Sequence, residues 1–280
     1  MAHLSYHLKS ENLEGFASEA RQLILLAGTQ QLSVLMWDKP GQKIISLEVF
    51  AQIEDWHKDW PMMLQRSSLL SFRHLETDVF YTSERALLIP GIFYDPQAAS
   101  GQLAVVFGEC YEVHSGADIF EREGMILAWE APAQIYETLS GHFYSIRHKS
   151  VAGLLMELAK SRLDKEVCGH ILVTEGHAWV AIWRGIQLLM LHSIVMKTPE
   201  DFAFHLLNIC HQWGLDYDQI HWRVAGMLQT GTPFWQVPEQ FFQYFEPWHF
   251  GASEADELQP HFYGYLTEFL KMGASRKISV

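Results

Sequence analysis

LILLAGT (Leu23–Thr29), QLSVLMWD (Gln31–Asp38) and KIISLEVF (Lys43–Phe50), with a Lys39-Pro40-Gly41-Gln42 turn before the third segment, decide how this chain is read. Each segment is short, apolar and bounded by turn residues, so the stretch reads as three strands joined by tight turns. The pattern returns as HILVTEG (His170–Gly176), HAWVAIWRG (His177–Gly185) and IQLLMLHSIV (Ile186–Val195). Gly28 and Gly176 sit in the first turn of each set, and Trp37 and Trp183 close each second strand. A repeat near half of the 280 residues is far longer than a solenoid unit, and it suits a domain of two similar halves. The sequence therefore predicts an internal duplication, with lobes at residues 1–150 and 151–280.

The segments downstream of each triplet support that division. In the first half, Trp56, Trp60 and Met63 share a helical face, and Pro61 requires the helix either to begin near Asp59 or to kink. DVFYTS and RALLIPGIFY read as extended segments, and Asp95-Pro96 as the start of a helix running to about Phe107. MILAWE is a strand, AQIYETLSGHF a short helix behind Pro132, and YSIRHK a strand. Ser150 then caps a helix with Val151, Leu154, Leu155 and Leu158 on its apolar stripe.

In the second half, Thr198-Pro199-Glu200-Asp201 opens a helix with an N-cap, a first-turn proline and two acids. Phe202, Leu206, Ile209 and Trp213 form its buried stripe, and Gly214 ends it. HWRVAGM is the next strand, VPEQFFQYF a short helix, GASEADELQP a loop and ASRKISV a tail. Each half thus spells three antiparallel strands, a helix, a strand reached through that helix, and further helix. The fold class is α/β, with a mixed sheet flanked by helices in each lobe. Adjacent apolar pairs such as Val34 and Leu35, or Ile182 and Trp183, imply that the leading strands are buried on both faces.

Composition narrows the function. Thirty-three acidic against 20 basic residues give a net charge of −13, which disfavours nucleic acid as a partner. No apolar run approaches the length of a membrane span, so membrane insertion is not expected and a cytoplasmic location is. Cys110, Cys168 and Cys210 are odd in number and far apart, and read as reduced, buried thiols. The sequence contains no HExxH, GxSxG or GxxxxGK[ST] motif, and His205 and His211 do not share a helical face. Trp235, Phe241, Phe242, Tyr244, Phe245, Trp248 and Phe250 crowd the C-terminal region, where they build core or, if exposed together, a partner surface.

ALLIPGIFYDPQAAS (Ala86–Ser100), the segment His177–Asp216 with its PEDF helix start, and RVAGM (Arg223–Met227) resemble an uncharacterised bacterial family. Its small proteins have an actin-like ATPase (ribonuclease H-like) fold, and the resemblance runs from about Gln22 to Phe245. It implies that the two strand-turn-strand units face a cleft whose turns hold phosphates, with an acid near each turn to organise Mg²⁺ and water. Cofactor-binding candidates are then Gly28, Thr29, Glu175, Gly176 and Gly226, and ATP with Mg²⁺ is the ligand such a cleft would take. The first turn, Leu26–Gln30, has a glycine and a hydroxyl but no acid, whereas the second offers Glu175. Turnover is therefore not expected, and neither catalytic residues nor metal ligands are assigned. The same glycines are also what tight turns require. The leading expectation is a degenerate interaction or scaffold module that binds a protein partner or itself; the alternative is an ATPase or small-molecule kinase.

Overall fold

The computed structural model describes residues 2–9, 20–161, 167–250 and 260–276. The chain divides into two compact units, residues 1–153 and 154–280.

The first unit is built on a six-stranded sheet of β1 (His3–Lys9), β2 (Arg21–Ala27), β3 (Gln31–Asp38), β4 (Lys43–Ala51), β5 (Glu76–Tyr81) and β9 (Ser145–Ser150). The strand order is β1-β4-β3-β2-β5-β9. Neighbours from β1 to β2 pair antiparallel, and β2-β5 and β5-β9 pair parallel. β2 is buried along its whole length and β3 along nearly all of it, as expected of strands covered on both faces. One extra residue, Ile45, bulges where β4 passes Met36 and Trp37 of β3. Beyond that bulge, Ser46–Ala51 takes β1 along its outer edge.

Two buried carboxylates tie the layers of this unit. Glu48 accepts hydrogen bonds from the Ser67 hydroxyl and from the amide and hydroxyl of Ser68, which fixes the chain just after α1 (Trp56–Arg66). Asp78 is held by the Gln22 amide at 2.6 Å and by both prongs of Arg147 at 2.5 and 3.0 Å, which joins β2, β5 and β9. The α1 helix starts at Trp56 under an Asp55 N-cap and holds Pro61 in its interior, so the expected start near Asp59 does not occur. Asp55 accepts the amides of His57 and Lys58, which is enough to open the helix ahead of the proline.

A smaller three-stranded antiparallel sheet joins this unit, ordered β6 (Ala86–Pro90), β8 (Met125–Pro132), β7 (Val113–Phe120). It carries α2 (Ala99–Phe107) and leads into α3 (Ala133–His142). Asp95 does not start α2: its carboxylate closes a local turn on the Gln97 amide, and the helix begins at Ala99. No residue pattern announced β7. Its Gly116 lies opposite Trp129, and a Cβ there would stand 2.3 Å from the indole ring.

At the boundary of the units, Ser150 caps α4 (Val151–Lys160) by accepting the Ala152 amide, and the stripe Val151, Leu154, Leu155 and Leu158 is buried as expected.

The second unit holds β10 (Val167–Val173), β11 (His177–Arg184), β12 (Gln187–Val195), β13 (His221–Gly226) and β14 (Tyr244–Pro247), ordered β12-β11-β10-β13-β14. Its pairings repeat those of β4-β3-β2-β5-β9: antiparallel, antiparallel, parallel, parallel. The bulge recurs too, at Leu189, where β12 passes Ile182 and Trp183. Gly169 pairs with Trp222 across β10 and β13, and a Cβ on it would fall 2.2 Å from the ring, so the indole of this fully buried tryptophan fills the space a side chain would need.

Helix α5 (Pro199–Gln212) opens under Thr198, whose hydroxyl accepts the Asp201 amide, and buries Phe202, Leu206 and Ile209 on the sheet. Trp213, expected in that stripe, is instead the C-cap residue and 45% exposed, because Gly214 at φ +59° turns the chain away. Helix α6 (Pro233–Glu239) begins earlier than VPEQFFQYF suggests, and Phe245 belongs to β14. Helix α7 (Pro260–Arg276) takes in Pro260 of the expected loop and Ala274–Arg276 of the expected tail; residues 251–259 and 277–280 lie outside the described residues.

Two expectations about burial are corrected. β12 is largely half-exposed, because unit two has no described counterpart of β1 on that side. Cys110 is exposed, whereas Cys168 and Cys210 are buried; burial pushes the Cys210 thiol up to about 11. Among the described residues, no helix is long and apolar enough to cross a membrane.

Candidate functional site

Both predicted turns lie at the carboxyl edge of a sheet, where open α/β sheets bind ligands. In unit one, Gly28 and Thr29 follow β2. The Gly28 amide donates to the Gln31 carbonyl at 2.9 Å, which closes the turn. Gly28 is buried and Thr29 exposed. The sequence did not point to Trp56: its indole N–H lies 3.2 Å from the carbonyl oxygens of both Gly28 and Thr29, so it engages the turn from α1. The Ile53 amide donates to Gln30 and the Thr82 amide to Ala27, which brings the start of α1 and the end of β5 against the same turn.

Two acids, Asp55 and Asp59, lie with Trp56 at the start of α1, and both are engaged in local structure. Asp55 caps α1, and Lys58, through its ammonium at 2.8 Å and its amide, lowers the Asp55 carboxyl to about 2. Asp59 accepts the amides of Glu54, Asp55 and Ala2, and those bonds lower its carboxyl. A third acid was not visible in the sequence. Asp118, on β7, accepts the Ser150 amide at 3.0 Å at the carboxyl end of β9. By ordinary strand spacing that point is about 10 Å across the sheet from the end of β2.

In unit two, Thr174, Glu175 and Gly176 connect β10 to β11. The Thr174 amide donates to the His177 carbonyl, and the Thr174 hydroxyl meets His177 Nε2 at 3.2 Å. His177 Nδ1 stands 3.0 Å from the Glu175 carbonyl, so the imidazole lies back over the turn. Gly176 takes φ +74° in open space, with its carbonyl accepting the Met196 amide. Gly226 ends β13 in register with Val173, at φ +91°, and the Met227 amide donates to the Val173 carbonyl. Glu175, Gly176 and Gly226 therefore gather at one edge of unit two, and Gly28 and Thr29 at the corresponding edge of unit one. In unit one the position in register with Ala27, as Gly226 is with Val173, is Tyr81.

A separate polar cluster also went unread in the sequence. His114 stacks on Tyr136 at 3.4 Å, Tyr136 lies 4.3 Å from His148, and His148 Nδ1 meets the Tyr81 hydroxyl at 2.8 Å. Burial lowers the His148 imidazole to about 4, with His114 adding to the effect.

The profile of the family described as protein of unknown function DUF3822 matches residues 10–245, most of the chain. The chain belongs to the DUF3822 family. No curated protein matches the sequence. Among solved structures, this DUF3822 chain resembles a Bacteroides thetaiotaomicron VPI-5482 protein with actin-like ATPase fold and unknown function. The TM-score is 0.76 at 15% identity, over 91% of this chain and 96% of that one. It also resembles a chain of the PilM-PilN type IV pilus biogenesis complex, with a TM-score of 0.57 at 11% identity over 91% of this chain and 98% of that one. At such identities the likeness establishes the fold, and the DUF3822 chain has the actin-like ATPase fold.

Proposed function

We propose that this DUF3822 protein, read as two duplicated lobes 1–150 and 151–280, is a cytoplasmic partner-binding module whose nucleotide-type turns are catalytically degenerate. The carrying observation is where apolar surface is left exposed. Among the described residues, 13 large hydrophobic side chains are exposed, and six of them, Ile92, Phe93, Val105, Val106, Tyr111 and Ile119, lie on the small three-stranded module. Gln102 bonds to the Phe93 carbonyl at 2.8 Å and so fixes α2 against the exposed turn at Phe93. Exposed apolar side chains held on a rigid scaffold suit a protein interface. The C-terminal aromatics do not form an exposed cluster: Phe241 is exposed and Tyr244 half-buried, but Trp235, Phe242, Phe245, Trp248 and Phe250 are buried. The fold-mate PilM is itself found in a complex with PilN, in keeping with a partner-binding role.

Degeneracy rests on the chemistry of the first turn. The two acids at the start of α1 are engaged in local structure, Asp55 as its N-cap and Asp59 by the amides of Glu54, Asp55 and Ala2, and the carbonyls of Gly28 and Thr29 are engaged by Trp56. A missing electrostatic or general-base group costs about 10² to 10⁴ in rate. The competing reading, an ATPase or kinase that uses Gly28, Thr29, Glu175, Gly176 and Gly226, is favoured by Glu175 at the second turn and by Asp118 at the carboxyl end of β9. Phosphate release from wild type and Glu175→Ala, beside a titration with labelled ATP and Mg²⁺, separates the two. Background turnover in both proteins is expected. Turnover of about 1 s⁻¹ or more in wild type, within the ordinary enzyme range and lost in the variant, would make the protein a working ATPase. For the partner, Phe93→Ser with Val106→Asp is expected to abolish association with a binding protein that wild type retains; unchanged association would refute the module as the interface.

A further inference from the structure

We propose that the outer edge of β12, over Met190–Val195, joins a second copy of this chain by antiparallel strand pairing. The first unit shows how such an edge is filled. There the bulge at Ile45 ends one run of pairing, and Ser46–Ala51 beyond it accepts β1 antiparallel along the outer side. In the second unit the bulge at Leu189 falls at the same point of the same hairpin. The stretch beyond it, Met190–Val195, has the same length and register toward its inner neighbour, and among the described residues it closes the sheet with no strand outside it.

The other edges of the two large sheets carry the features that discourage pairing. β14 has only four residues and contains Glu246 and Pro247; β9 carries Arg147 and Lys149; β1 ends on Lys9. β12 has nine residues and neither proline nor a fixed charge. From Gly185 to Met196 there is no Asp, Glu, Lys or Arg at all. In a chain of net charge −13, that uncharged strip is where two copies meet without opposing like charges. A two-fold axis normal to the sheet makes the strand its own antiparallel partner, and the contact is closed and isologous. Val195 is 46% exposed and Leu191 half-buried, on the same side of the strand, and pairing covers both.

This inference is independent of the three-stranded module. Sedimentation equilibrium of the full chain tests it, with wild type, Leu191→Lys/Val195→Lys, and Phe93→Ser/Val106→Asp as the control for the other surface. Wild type is expected to dimerise. The lysine pair, facing its own copy, is expected to weaken the dimer at least about tenfold, and the control to leave it unchanged. Amide exchange of wild type, followed as concentration rises, is expected to slow at Met190–Val195. That readout stands even if the lysine variant fails to fold. A monomer at every concentration overturns the proposal, as does a dimer indifferent to the lysines or one that gains no protection on β12. Protection of β12 only on adding a different protein also overturns it, because the occupant would then not be a second copy.

Discussion

Gly226 and Gly176 both take positive φ, yet replacing each by alanine should have very different consequences. At Gly176 a Cβ meets nothing within 4 Å, so Gly176→Ala carries only the left-handed backbone strain, about 1 to 2 kcal/mol. At Gly226 the added carbon would stand 2.0 Å from the Val173 carbonyl oxygen and 2.9 Å from its nitrogen and carbon, where real Cβ contacts do not fall below 3.0 Å. Those are backbone atoms of the neighbouring strand, so β10 and β13 must part by about 1 Å at a point that pairs inside the sheet. Parting strains the bond from the Met227 amide to the Val173 carbonyl, and a buried carbonyl left unpaired costs about 1 to 3 kcal/mol. Gly226→Ala should therefore cost about 2 to 5 kcal/mol, which lowers the melting transition of the second unit by about 10 °C. Hydrogen exchange localises the effect: amides of β10 and β13 should exchange faster while those of β2 and β5 hold. If Gly226→Ala costs no more than Gly176→Ala, the close approach does not govern this strand end, and a ligand role for Gly226 becomes the better account of it.

The first unit offers further tests. Arg147→Ala leaves the buried Asp78 with the Gln22 amide; because the guanidinium is about half exposed, the expected loss in urea unfolding is about 2 kcal/mol, and Arg147→Lys should restore only part of it. Trp56→Phe keeps the packing but removes the indole bond to the Gly28 and Thr29 carbonyls, and should cost about 1 kcal/mol, with faster exchange at the Gly28 amide as the local signature. For His148 the folded pKa, about 4, lies below the ordinary imidazole value of 6.5, so the unfolded chain binds the extra proton between those values. Stability is full above about pH 6.5 and falls as pH drops toward 4. His148→Phe should flatten that limb of the pH–stability curve; a limb of unchanged slope would show that the acid sensitivity arises elsewhere.

Strands β2, β3, β10 and β11 were legible because they are buried on both faces, and double burial writes itself as an unbroken apolar run between turn residues. The start of α5 was legible for a different reason: Thr198 and Pro199 act within four residues of one another. β7 was not legible. Ser115, Gly116 and Asp118 interrupt any apolar alternation, and Gly116 is there because an indole from β8 occupies the space beside it. Trp213 misled because its spacing fits the α5 stripe, but the helix ends one residue too early to bury it. At the candidate site the turns could be read, since glycine and hydroxyl residues announce them. The groups that engage the first turn, Trp56, Ile53 and Thr82, are brought there by pairing between distant segments, which local pattern does not record.

Gly169 and Trp222 have a consequence for how the family can vary. The ring occupies the volume in which any larger side chain at 169 would begin, so the two positions form a single unit of shape divided between two strands. A methyl group at 169 alone overfills the core, and a smaller residue at 222 alone leaves a void beside a glycine that cannot fill it. Only a paired exchange, larger at one and smaller at the other, keeps the volume constant. Across DUF3822 sequences these two columns, 53 residues apart here, should change together or not at all.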